Sequence, residues 1–139
     1  MQLASTRSII VFDYDLPVRA FVNTNHGHDF GFKHQDSFVK WEGTKGAIKI
    51  TLGKNINFPE GIEDTFEYVI LSEDKKPEWK TVSIDGSWYP DAFIASMADL
   101  QCFIEGTSLT HHTSVEEAYK TMLLVEAAYL SSDFGGTAI

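Results

Sequence analysis

The sequence predicts an α+β fold: a mostly antiparallel sheet of about six strands, with two C-terminal helices packed on one face and the other face open. Two observations predict it. Residues 8–84 break into short β-branched and aromatic runs separated by turn residues. Beyond Gly86 the apolar spacing changes to that of a helix and stays so almost to the end. Strands first and helices after is the order of a sheet with helices segregated to one face.

The strand runs follow one another in order. Residues 1–7 are polar and unpatterned, a loose end. Ser8 to Tyr14 (SIIVFDY) is a nearly continuous apolar run, as expected of a strand covered on both faces. Pro17 turns the chain. Val18 to Val22 alternates, and the two runs predict a hairpin. Asn23 to His34 (NTNHGHDFGFKH) has no period and reads as a loop or an irregular strand end. Ser37 to Trp41 and Ala47 to Leu52 (AIKITL) frame the turn Glu42–Gly46, with Ile48, Ile50 and Leu52 inward and Lys49 and Thr51 outward. Residues 53–64 form a loop punctuated by Pro59 and Gly61; Thr65 to Leu71 and Trp79 to Ile84 complete the strands.

Two helices follow. Pro90 suits a first helical position and Asp91 the positive end of the helix dipole, with Phe93, Met97, Leu100 and Ile104 at helical spacing and Gly106 as the stop. Ser114 with Glu117 makes a capping box for the second helix. Val115, Ala118, Tyr119, Met122, Val125 and Tyr129 lie on one face, expected to be core, and Gly135 and Gly136 end the run before a short extended tail at 137–139.

The 139 residues are the length of one domain, with 43% apolar and 22% charged residues, a globular composition. A formal charge of −9 argues against nucleic acid and anionic membranes, which reward lysine and arginine. The single cysteine, Cys102, excludes an internal disulfide and lies in an apolar helical pattern, where a buried small hydrophobe is expected. No apolar run approaches the roughly 20 residues that cross a bilayer, and no signal peptide is visible. A soluble cytoplasmic chain is the expectation.

The richest chemistry is in NTNHGHDFGFKH. His26 and His28 form an H-x-H pair that could aim two imidazoles at a metal, but no carboxylate or cysteine is spaced to complete a set, although Asp29 and Asp36 are near. Asn23, Asn25, His26 and His28 could instead face a polar ligand, or the loop could simply be solvated. Trp88, Tyr89 and Asp91 suit a sugar or polyol pocket, or the aromatic pair staples the helix to the sheet. His111-His112 reads as a polar connector. The sequence holds neither G-x-G-x-x-G after a strand nor G-x-x-x-x-G-K-[ST], and no nucleophile elbow, so no catalytic residue is assigned.

WYPDAFIASMADLQCFIEG at 88–106, SVEEAYKTMLLVEAAYLSS from 114 with its A-x-x-S ending, and EGTKGAIKI at 42–50 together resemble the C-terminal domain of the glucose–fructose oxidoreductase and inositol dehydrogenase (Gfo/Idh/MocA) family. The resemblance spans essentially the whole chain, residues 1–139, as one domain. It implies a substrate-binding and oligomerisation domain of an NAD(P)-dependent sugar or polyol oxidoreductase, with homo-oligomer contacts through the open sheet face. The family's Rossmann domain, its Glu-Lys-Pro segment and its catalytic Asp/His motif are not found, so NAD or NADP is implied for a full-length protein and no cofactor for this chain. Asn25, His26, His28, Trp88 and Asp91 are the expected substrate-side groups. The alternative is a stand-alone small-molecule-binding or protein-interaction module on the same scaffold.

Overall fold

The structure, a computed structural model, describes residues 7–26, 30–31, 33–54 and 61–135. His28, Asp29, Pro59, Gly136, the tail at 137–139 and most of the expected loose end lie outside the described residues. The fold is α+β, with six strands followed by two helices. The chain divides into two units: residues 1–31 with 114–139, and residues 32–113.

The first unit holds strands β1 (Arg7–Asp13) and β2 (Arg19–Asn25), antiparallel and paired in full from Arg7↔Asn25 to Asp13↔Arg19. β2 runs past the expected end at Val22, although its alternation stops there. The Ser8 and Thr24 hydroxyls, 2.7 Å apart, continue the cross-strand contacts into the polar stretch. Arg7, Ile9, Val11 and Asp13 share one face with Arg19, Phe21, Asn23 and Asn25; all eight are exposed.

The same unit holds the second of the two helices, α2 (Val115–Phe134). Its start follows the capping box in one direction: Ser114 is extended and its hydroxyl accepts the Glu117 N–H at 3.4 Å. The Glu117 carboxylate does not reach back; it takes the Lys120 ammonium one turn on. Gly135 closes the helix in the left-handed region at φ 76°. No α2 residue is buried, so the face expected to be core stays open to solvent in this chain.

The second unit is a four-stranded antiparallel sheet in the order β3 (Ser37–Gly43), β4 (Gly46–Leu52), β5 (Thr65–Ile70), β6 (Lys80–Val82), followed by α1 (Ala92–Ile104). The single sheet of six strands expected from the sequence is therefore two sheets, of two and four strands. Among the described residues β1 and β2 pair only with each other, and the aperiodic stretch after Asn25 intervenes before β3. The two helices correspondingly fall in different units.

Register fixes the faces of the larger sheet. Trp41, Ile48 and Tyr68 stand in one row, which ends at Lys80, and Val39, Ile50, Phe66 and Val82 stand in the next. Alternation puts Lys40, Lys49, Glu67 and Thr81 on the opposite face. The sheet is thus amphipathic, yet its apolar face is open: Trp41 is 55% exposed. Val69, 7% exposed, is the one buried hydrophobic side chain among the described residues. Cys102, expected to be buried, is exposed: helical spacing places it in an apolar pattern but does not by itself set its burial.

Candidate functional site

The end of β4 meets the start of α1 through a carboxylate. Half-buried Asp64 accepts the Gly53 N–H on one oxygen and the Trp88 N–H on the other. The Trp88 indole N–H donates to the Gly53 carbonyl at 2.7 Å. Gly53 is required here by space: a Cβ at this position would overlap the Ile62 carbonyl oxygen. Lys54, next in the chain, reaches Asp36 at 2.9 Å and ties the entry to β3 to the same end of the sheet. Trp88 lies against Tyr89, ring centroids 5.7 Å apart, and Tyr89 meets Phe93 edge-on at 6.0 Å. This is the staple geometry, an aromatic ladder leading from the sheet into α1.

Asp91 caps α1 in position but not by hydrogen bond. The helix begins at Ala92, one residue beyond Asp91 and two beyond Pro90, and the Asp91 side chain makes no cap bond. Its carboxylate turns back to accept the Ser87 N–H at 2.7 Å. The indole N–H of Trp88 and one oxygen of Asp91 are therefore committed to the local fold; Trp88 as a whole remains 38% exposed.

A cleft of about 490 Å³ opens at the other end of the sheet, walled by Trp41, Ile48, Phe66 and Tyr68, with Glu42 and Lys45 also lining it. From Ile48 to Gly53 along β4 is roughly 17 Å at strand rise, so the cleft and the Trp88 junction are separate places. At the cleft Gly46 lets the turn approach β5: a Cβ there would overlap the Val69 carbonyl oxygen. Trp41, Phe66 and Tyr68 give the cleft three aromatic side chains, a surface on which the C–H face of a sugar ring can stack.

A third cluster was not legible as a site in the sequence. Asp99 is the one acidic residue within α1. Its carboxylate lies 2.9 Å from His111 Nδ1 and 3.1 Å from His112 Nδ1, and accepts the His112 backbone N–H at 3.0 Å. His111 stacks on Phe103 with ring centroids 5.7 Å apart, and its Nε2 lies 3.3 Å from the Thr113 hydroxyl. Hydrogen bonds from the His112 side chain, then that of His111, then the His112 backbone lower the Asp99 carboxyl from 3.8 to about 2. The expected polar connector is in fact clasped to α1. The available signal was a pair of adjacent histidines just ahead of a helix cap, with a lone carboxylate on the preceding helix.

Asn25 ends β2 and His26 follows it, both exposed and both in the first unit, whereas Trp88 and Asp91 belong to the second. Among the described residues no group of three histidine, cysteine or acidic side chains converges as a metal site. No described helix is long and apolar enough to cross a membrane. Comparison with protein-family models, curated proteins and solved structures finds no significant match for this chain.

Proposed function

We propose that this chain is a substrate-binding and oligomerisation domain of an NAD(P)-dependent sugar or polyol oxidoreductase, acting in the cytoplasm as part of a homo-oligomer. The observation that carries the assembly part is the exposed apolar face of β3–β6, with Trp41, Val39 and Ile48 on one side of a sheet whose other side holds Lys40, Lys49 and Glu67. A contiguous apolar face of this kind marks an interaction surface more often than a bare exterior. The aromatic cleft at Trp41 and Tyr68 supports a carbohydrate-like ligand. The redox setting rests on the sequence resemblance. Asn25, His26, His28, Trp88 and Asp91 are the polar and aromatic groups assigned to the substrate side, and NAD or NADP would be held by residues outside this chain.

Sedimentation velocity tests the assembly. Self-association at tens of micromolar is expected, with the double variant Trp41→Lys, Tyr68→Lys shifted to monomer. A wild-type monomer under the same conditions overturns it. Calorimetry tests the division of labour: a sugar or polyol should bind and NAD should not, and micromolar NAD binding by this chain defeats it. The stand-alone module draws on the same open face and on the missing dinucleotide loop, and it is favoured if self-association persists while no sugar or polyol binds.

A further inference from the structure

We propose that Asp99, His111 and Thr113 form a hydrogen-bonded relay that makes the Thr113 hydroxyl a nucleophile, accepting an acyl group from an activated ester and passing it to water. The three residues belong to the second unit, and the proposal does not rest on the oxidoreductase reading.

The first reason is the tautomer that Asp99 imposes. Its carboxylate faces Nδ1 of both rings, at 2.9 Å for His111 and 3.1 Å for His112. An ionised carboxylate only accepts hydrogen bonds, so each Nδ1 beside it carries a proton. Nε2 of the neutral His111 ring is then an acceptor whose lone pair can serve as a base. The atom it meets is the Thr113 hydroxyl oxygen, at 3.3 Å. Carboxylate, imidazole and hydroxyl thus follow one another in the order that activates an alcohol for nucleophilic attack.

The second reason is the division between a sheltered base and an accessible nucleophile. The His111 side chain is 15% exposed and its ring is stacked on Phe103, which fixes the rotation of the imidazole. Thr113 is exposed. The connector between them and α1 is tied down: the Thr107 hydroxyl donates to the Cys102 carbonyl at 3.0 Å, and the Ser108 hydroxyl to the Thr110 carbonyl at 2.9 Å. A base and a nucleophile held in place in this way need little ordering when a substrate arrives. His112 shares the carboxylate, but its side chain is 79% exposed; it engages the second oxygen of Asp99 and leaves the first to His111.

The step balances without a co-reactant other than water. His111 Nε2 takes the Thr113 proton as Oγ1 bonds to the ester carbonyl carbon. The tetrahedral adduct collapses, the bond to the leaving oxygen breaks with its electron pair, and Nε2 returns the proton to that oxygen. Water then repeats the sequence on the threonyl ester, releasing a carboxylic acid and restoring the hydroxyl. Positioned proton transfer contributes roughly 10²–10⁴-fold. That suits esters whose leaving group is a weak base, aryl esters above all, and not amides. Thr113 and His111 are the catalytic residues of this scheme; Asp99 and Phe103 position the ring.

The probe is p-nitrophenyl acetate with the full chain in a Cys102→Ser background, because the exposed Cys102 thiol can itself take an acetyl group. The acid-quenched chain should carry an acetyl group on Thr113, located by peptide mass mapping and removed by hydroxylamine, which leaves acetylated lysines intact. Thr113→Val should abolish that adduct and slow ester hydrolysis by about tenfold or more, with the circular dichroism spectrum unchanged, and Thr113→Ser should retain both. His111→Gln should match the loss. Nitrogen NMR of the His111 ring should place the proton on Nδ1, and Asp99→Asn should lose that preference together with the activity. Acetylation confined to lysines, a Thr113→Val chain as fast as its parent, or an Nε2–H tautomer of His111 overturns the proposal. So does activity that survives His111→Gln and is lost in His112→Gln.

Discussion

The Asp99 carboxylate and the His111 ring, 2.9 Å apart, bind the middle of α1 to the connector that follows it. A folded-state carboxyl lowered from 3.8 to about 2 contributes stability that is fully present above the unfolded value and is lost as pH falls toward the folded one. Unfolding by urea, followed as a function of pH, should show a loss of stability between about pH 4 and pH 2. Asp99→Asn should be less stable at neutral pH and should flatten that acid limb. An unchanged limb would assign the acid sensitivity elsewhere.

Trp88 and Gly53 supply a paired test of the junction at the end of β4. Trp88→Phe keeps an aromatic ring and removes the indole donor, a loss of about 1 kcal/mol for one hydrogen bond. Gly53→Ala introduces an overlap with the Ile62 carbonyl oxygen and should cost more, roughly 2 kcal/mol or above. Chemical denaturation of the two variants measures the order, and the reverse order would mean that the backbone at Gly53 relaxes freely.

The ends of α2 are separable from the rest of the fold. Ser114→Ala removes the acceptor for the Glu117 N–H and should destabilise by about 1 kcal/mol. Gly135→Ala forces a side chain into the left-handed cap at φ 76° and should cost about 1 kcal/mol. Both should lower the midpoint of helix loss seen by circular dichroism at 222 nm, and amide exchange should locate the change within residues 114–135.

Of Val69 and Trp41, only Trp41 should respond to self-association. Val69→Ala removes buried methyl groups and should cost about 1.5 kcal/mol at any protein concentration. Trp41→Ala removes a ring that is 55% exposed in the single chain, so its cost should be small when dilute and grow with concentration. Denaturation at two concentrations a hundredfold apart decides it.

Local pattern carried the elements, and long-range pairing was what it could not carry. The alternation of AIKITL placed β4 almost to the residue, and Ser114 with Gly135 bracketed α2. The period predicts a β2 that stops at Val22, because Asn23 to Asn25 breaks the apolar alternation, while the ladder is continued by a hydroxyl pair visible only once Ser8 and Thr24 are opposite each other. The division into two sheets depends on which strand β3 declines as a neighbour, and no periodicity encodes that. At the candidate site Trp88 was legible as an aromatic staple, but its partner Gly53 lies 35 positions away. Spacing alone predicts an interior place for Cys102 and for the apolar stripe of α2. Spacing identifies a face and does not say whether this chain covers it.

The division of the chain also sets an order of events during synthesis. Residues 32–113 are one uninterrupted stretch, whereas the other unit is assembled from residues 1–31 and 114–139. The ribosome therefore delivers everything the β3–β6 sheet and α1 require before it delivers α2. The hairpin is therefore made before the β3–β6 sheet, and the rest of its unit follows only after more than eighty further additions.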